Sequence, residues 1–193
     1  MQAILDLLGS FFIGGILLLM IMNFNLYTLS TSISSDKELV LQQNAKTIAE
    51  IISYDLRKIG YNHSGTAIII ADSNRIKYYA DMQAPGTAGH GVIDIVEYIV
   101  SPTDNKSGGD TTNVNLVRII NEIDTLRGPY LGLTKFKFSY FDRYGTTTTI
   151  TDSIKYVKAE FWIHPTTKFK NIFITPVDST FTYWELTIIP RNI

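Results

Sequence analysis

The chain has 193 residues, which is enough for one domain with an appended element. Hydrophobic residues make up 45% of it and charged residues 18%, a balance that excludes intrinsic disorder. The formal net charge of −1 provides neither a basic field for nucleic acid nor a strongly acidic one. The absence of cysteine excludes disulfides, thiolate nucleophiles, iron–sulfur clusters and cysteine-based zinc sites.

The first predicted element is an apolar helix. Residues 7–22 contain no charge and one polar side chain, Ser10. As a helix this run is about 24 Å long, short of the roughly 30 Å hydrocarbon core of a bilayer. Extending it to Leu29 across uncharged polar residues gives about 34 Å. The sequence therefore predicts a transmembrane segment over residues 7–29.

A secretory signal peptide and a buried core helix are the alternatives for this segment. A signal peptide has a basic n-region, whereas the first basic residue here is Lys37. A core helix of so small a protein is rarely apolar on every face. The flanking charges do not predict the orientation in a membrane, because Asp36, Lys37 and Glu38 nearly cancel and the other side offers only the terminal amine and Asp6.

Asp6 is the one charged side chain ahead of the apolar segment. A carboxylate near a helix start is favoured by the helix dipole, which is one interpretation. The other is an ion pair, because an ionisable group at the edge of hydrocarbon usually has a partner. The sequence has no cation nearby, so the free amine of a neighbouring subunit would have to supply it.

Further along, apolar residues recur at steps of three and four, which predicts an amphipathic helix with one buried face. That face consists of Leu26, Leu29, Ile33, Val40, Leu41, Ala45, Ile48, Ile52, Leu56 and Ile59. Residues 30–35 (STSISS) are its weakest stretch. Gly60 follows the basic last turn as a helix stop. The simplest prediction is one long helix within residues 1–60, followed by a β-rich globular domain over residues 61–193.

Beyond Tyr61, short β-rich runs alternate with turn residues. The predicted strands cover residues 66–71, 75–79, 92–100, 115–121, 135–141, 146–150, 154–163 and 181–189. Sequential strands with short turns predict a mostly antiparallel sheet, with one face covered by the amphipathic half of the helix. The predicted fold class is therefore α+β.

Motifs that carry chemistry are missing from the sequence. The histidines His63, His90 and His164 lie far apart and form no metal-binding pair. The glycine-rich run 86–91 precedes a strand rather than a helix, which is unlike a phosphate loop. Residues 104–110 (DNKSGGD) are rich in oxygen ligands, but their spacing is not that of an EF-hand, and a solvated turn is favoured over calcium binding. We expect no catalytic residues, no metal site, no cofactor and no enzyme activity.

The order of these features resembles the type IV pilin superfamily, in particular its minor pilins and pseudopilins with a larger β-domain. The run YDLRKIGY at the helix end is similar to the signature D-x-R-x-A-G-[FY], with Asp55, Arg57 and Gly60 at the matching positions. Residues 75–81, 96–100, 133–145 and 190–192 resemble later segments of the family in the same order. Our interpretation of the helix end is that Asp55 or Arg57 anchors the first loop of the sheet, against the alternative of a solvated helix end.

Members of this family carry a short basic leader that ends in glycine, and a glutamate soon after the cleavage point. Asp6 stands roughly where that glutamate would be, and no such leader is visible before it. We expect either an already processed form or a chain that dispenses with the leader, unless the homology fails at the N-terminus. The resemblance implies that Asp6 neutralises the amine of an adjacent subunit.

The resemblance implies a structural subunit of a type IV pilus-like or type II secretion pseudopilus-like filament. Its partners would be other pilin-like subunits and, before assembly, membrane lipid, with no nucleic acid indicated. It would be anchored in the inner membrane with an extracytoplasmic β-domain, or lie in an extracellular filament. Small residues let helices approach closely, so Gly9, Gly14 and Gly15 would serve assembly, with flexibility as their other possible use.

Two other functions remain open. The first is a single-pass membrane-anchored extracytoplasmic binding module that does not polymerise. The second is a secreted β-domain whose N-terminus is cleaved.

Overall fold

The computed structural model describes residues 2–102, 114–127, 131–164 and 181–193. The possible calcium loop 104–110 lies outside them. One helix, α1, covers Gln2–Arg57 and confirms the long helix that the apolar pattern predicts. The chain divides into two compact units, Met1–Val40 and Leu41–Ile193.

The described residues of the first unit are helical throughout, and none of them is buried. Its large apolar side chains are exposed; Phe11, for example, has 83% of its surface exposed. The helix is long and apolar enough to cross a membrane. It continues unbroken through the serine-rich run 30–35, just before which the Thr28 hydroxyl donates to the Phe24 carbonyl at 2.9 Å.

In the second unit α1 buries one face. Its buried apolar residues follow the three- and four-residue steps of an amphipathic helix: Leu41, Ala45, Ile48, Ala49, Ile52 and Leu56. The sequence pattern extends this face back to residue 26, but Leu26, Leu29, Ile33 and Val40 are exposed. They belong to the first unit, none of whose described residues is buried, so the periodic pattern there is not matched by burial.

The strands form two antiparallel sheets rather than the single sheet predicted. The larger sheet is a meander of five strands in sequence order: β1 (Ile68–Asp72), β2 (Arg75–Ala80), β3 (Asp94–Pro102), β4 (Val114–Ile120) and β5 (Asp124–Arg127). The smaller sheet contains β6 (Leu133–Phe141), β7 (Tyr156–Ile163) and β8 (Thr182–Ile188), also in sequence order. The fold class is α+β, as predicted.

One predicted strand is absent, and one observed strand was not predicted. Residues 146–150 form no strand: Thr147 makes one isolated bridge to Phe141, and a 3-10 turn follows at Thr151–Ser153. The Asp142 carboxylate accepts the amides of Tyr144 and Thr146, so this polar segment closes on its own turn instead of pairing along a strand. The second error is β5, which was not predicted because its four residues carry too short a pattern.

The core lies in the second unit, where buried apolar side chains of α1 and both sheets form one cluster. Tyr78 and Val96 come from the larger sheet, and Phe138 and Phe161 from the smaller. Phe136 stacks on Phe161 with ring centroids 5.8 Å apart. Because the helix contributes to the same cluster, its last four turns are held by the β-strands.

Candidate functional site

The candidate assembly residues lie in the first turns of α1. The described part of α1 begins at Gln2, and Asp6 follows its first turn, which contains no acidic residue. Among the described residues no cation forms an ion pair with Asp6.

The three helix glycines have no packing role in the described part of the chain. A Cβ atom added at Gly9, Gly14 or Gly15 would meet nothing within 4 Å. No contact with another described residue thus requires glycine at these positions. Each leaves a stretch of helix backbone open to close approach by another helix.

The helix-end signature contains one buried acid, Asp55. The Tyr98 hydroxyl donates to its Oδ2 at 2.5 Å, and Nε of Arg118 lies 2.6 Å from the same oxygen in an ion pair. Tyr98 belongs to β3 and Arg118 to β4, so Asp55 fastens the end of α1 to the middle of the larger sheet. Arg57 is exposed on the other side of the helix end and makes no such contact.

Burial dominates the electrostatics of this cluster. Desolvation raises the pKa of Asp55, and the Tyr98 hydrogen bond and the Arg118 charge only partly oppose it. Burial and the Asp55 charge raise the pKa of Tyr98 in turn. Burial also raises the pKa of Tyr78, whose hydroxyl has no hydrogen-bond partner among the described residues. Asp55, Tyr98, Arg118 and Tyr78 thus place polar groups next to the apolar core.

Gly60 has the left-handed conformation that ends many helices, with φ of +74°. Its amide donates to the Tyr79 carbonyl at 2.8 Å, which joins the end of α1 to β2. A Cβ atom here would lie 2.6 Å from the Asn192 carbonyl oxygen. The position therefore needs glycine for both conformation and space, and it brings the helix end against the closing residues of the chain.

A second acid, Asp81, organises the loop between β2 and β3. It is fully buried and accepts the amides of Gly91 at 2.8 Å and Gln83 at 3.2 Å and the side-chain amide of Asn62 at 3.3 Å. Desolvation works to raise its pKa, but these hydrogen bonds and the nearby His90 lower it overall. The carboxylate thus binds the end of the glycine-rich run 86–91, shortly before β3.

The histidines have local contacts rather than a shared site. His90 Nδ1 lies 3.1 Å from Asp81, His63 stacks on Tyr79 with centroids 4.6 Å apart, and His164 Nδ1 lies 2.8 Å from the Thr134 hydroxyl. Within the described ranges no three His, Asp or Glu side chains gather as metal ligands would.

The functional residues that sequence reasoning missed are the partners of Asp55. Tyr98 and Arg118 lie far along the chain from it, and no local pattern links them. The alternation of β3 and β4 gives the only signal, since it shows which residues share a face but not what that face meets.

The fold has a counterpart among solved structures. It is similar to that of a type IV-like pilin from Thermus thermophilus, with a TM-score of 0.53 and 13% sequence identity. The similarity covers 79% of this chain and 97% of that protein. No protein-family model and no curated protein sequence matches. The chain thus has a pilin-like fold, with a long N-terminal helix and a β-sheet domain, as the sequence resemblance implies.

Proposed function

We propose that the chain is a structural subunit of a type IV pilus-like or type II secretion pseudopilus-like filament. The observation that carries the proposal is the exposed apolar surface of α1 in a protein with a pilin-like fold. No described residue of 2–40 is buried, although this part of the helix is rich in Leu, Ile, Phe and Met. Such a surface needs hydrocarbon or other helices around it.

The same surface has two successive environments in this proposal. Membrane lipid surrounds it before assembly, with the β-domain on the extracytoplasmic side of the inner membrane. In the filament, the helices of other pilin-like subunits replace the lipid, and Gly9, Gly14 and Gly15 let their backbones approach. Asp6 then neutralises the terminal amine of an adjacent subunit, which removes the cost of an unpaired charge in an apolar core.

The proposal assigns the chain no enzymatic activity. Several of its described acids and histidines are held in contacts within the fold, as Asp55 and Asp81 are. The role of the β-domain would be to present the outer surface of the filament.

The test is the assembly state of the full-length chain when it is produced together with the pilin-like subunits of its own organism. Negative-stain electron microscopy after mild removal of detergent should show helical filaments that an antibody against the β-domain decorates. A chain that stays monomeric in detergent and at the membrane, with all partners present, would instead be a non-polymerising binding module.

A further inference from the structure

An open groove runs along the second unit between α1 and β8. Its volume is about 970 Å³. Aromatic, apolar, basic and acidic side chains line it, among them Glu50, Tyr54, Arg57, Trp184, Leu186 and Arg191. We call this the aromatic groove.

The floor of the aromatic groove is a part of the core face that no described element covers. Phe161 of β7 pairs directly with Trp184 of β8, so both side chains point to the same face of the sheet. Phe161 is fully buried, whereas 37% of the surface of Trp184 is exposed. Among the described parts of the chain, the core face is thus covered completely at β7 and only partly at β8.

The strand beside this floor, β8, is an edge strand of the sheet that the described residues form. Among the described strands, β8 pairs only with β7, so its other edge presents backbone amides and carbonyls without strand partners. A strand added there would direct every second side chain toward the face that carries Trp184 and Leu186. Those side chains would enter the groove.

The charges at the groove favour an acidic occupant. Lys46 is paired with Glu50 at 3.7 Å, and Nζ of Lys58 donates to the Met82 carbonyl at 2.8 Å. Arg57 and Arg191 form no ion pair with any described residue. Two guanidinium groups are therefore open to a carboxylate, which they bind in a planar fork.

The side of the groove that α1 forms sets the length of a strand that could bind in it. From Lys46 to Arg57 the wall is about 16 Å long. About five residues in extended conformation cover that distance.

We propose that the aromatic groove binds an extended acidic peptide segment of a partner protein by strand addition to β8. An apolar side chain of the peptide packs on Trp184, and a carboxylate near one end pairs with Arg57 and Arg191. The regular backbone edge favours a peptide over a nucleic acid or a saccharide, since only a peptide main chain pairs with it. This proposal does not depend on filament assembly.

The fluorescence of the exposed Trp184 indole can report binding in the groove. The chain has two tryptophans, and Trp162 lies on the opposite face of the sheet beside Tyr183, with ring centroids 5.0 Å apart. In the variant Trp162→Phe, embedded in lipid nanodiscs, all indole emission comes from Trp184. Titration with the capped hexapeptide Val-Thr-Leu-Thr-Glu-Asp should shift this emission to shorter wavelength and protect it from acrylamide quenching, with saturation.

Two control peptides separate charge from backbone pairing. Val-Thr-Leu-Thr-Lys-Lys reverses the charge, and Val-Thr-Leu-Pro-Glu-Asp keeps the charge but lacks one ladder amide. Both should protect Trp184 at least about threefold more weakly. Equal protection by either control, or none by the first peptide, would overturn the proposal.

Variants of the chain locate the contact. Arg57→Gln and Arg191→Gln should each weaken binding of the acidic peptide about threefold, because exposed ion pairs are modest. The matched control Arg143→Gln removes an exposed guanidinium outside the groove and should leave binding unchanged. An equal effect of Arg143→Gln would overturn the assignment. Protection of Trp184 by oligo-dT, by an anionic hexasaccharide or by raising the concentration of the chain alone would show a different occupant and would also overturn it.

Discussion

Removal of the Asp55 carboxylate leaves two polar groups without their partner. The Tyr98 hydroxyl and the Arg118 guanidinium both contact its Oδ2. We expect Asp55→Ala to destabilise the fold by about 3 kcal/mol, as is usual when one member of a buried pair is lost. The corresponding fall in Tm is about 10 °C, measured by near-ultraviolet circular dichroism of the full chain in detergent.

The control variants separate this effect from charge alone. Asp55→Asn keeps an acceptor for Tyr98, and its cost should be the smaller because burial already disfavours the charged carboxylate. Glu50→Ala removes an exposed acid of the same helix, and we expect a change within about 0.5 kcal/mol. Equal Tm values for Asp55→Ala and Glu50→Ala would refute the role of Asp55 as an anchor.

We expect Asp81 and Asp55 to make the stability of the fold depend on pH in opposite directions. The pKa of Asp81 is lowered from 3.8 in the folded chain, so its ionised form stabilises the loop between β2 and β3 at pH above that value. The contribution is lost as the pH falls through the lowered folded pKa. The pKa of Asp55 is raised, so protonation of this group favours the folded state. This contribution to the free energy of unfolding is largest below pH 3.8 and is lost as the pH rises through the raised pKa.

Nuclear magnetic resonance of the full chain in micelles tests the Asp81 prediction at its donors. The amide signals of Gln83 and Gly91 should shift together as the pH falls through the lowered pKa of Asp81, because both amides donate to this carboxylate. In Asp81→Asn the coupled shift should disappear. Its persistence in that variant would assign the titration to another group.

At the scale of elements, the junction of α1 with the sheet depends on one glycine. Gly60→Ala would force a side chain into the left-handed region and against the Asn192 carbonyl oxygen. The conformation alone costs about 1 kcal/mol, and the contact with main chain adds to it, so we expect about 2 kcal/mol or more. Chemical denaturation of the full chain measures the difference.

Gly86→Ala is the matched control for this substitution. Gly86 has a similar φ of +84°, but an added Cβ would meet nothing within 4 Å. It should show only the conformational cost of about 1 kcal/mol. If the two variants lose equal stability, the close approach at Gly60 contributes nothing.

Comparison of the predicted and observed strands shows which features of the fold follow from the sequence. The alternation of apolar and polar residues predicts β6 and β7 to within a few residues of their observed bounds, because every second side chain of both strands is buried. It cannot show that β5 and β6 belong to different sheets, since alternation gives the faces of a strand and not its neighbours. The partners of Asp55 are hidden for the same reason: they come from strands whose position over the helix end is set by the whole core.

For the whole molecule, we predict that Asp6 matters only in assembly. Asp6→Ala should leave the Tm of the β-domain unchanged, because no described residue pairs with it. It should abolish or strongly reduce filament formation, since the amine of the adjacent subunit would remain charged in an apolar core. Electron microscopy counts the filaments, and Asp36→Ala in the same helix serves as the control that should assemble normally. Normal assembly of Asp6→Ala would contradict the proposed ion pair.

The central claim is that the apolar part of α1 requires lipid or other helices around it. Sedimentation velocity of the purified full-length chain after detergent removal tests this claim most directly. We predict large assemblies or association with added lipid vesicles, and no stable free monomer. A single soluble species of 21.7 kDa, without detergent, lipid or partner, would contradict it.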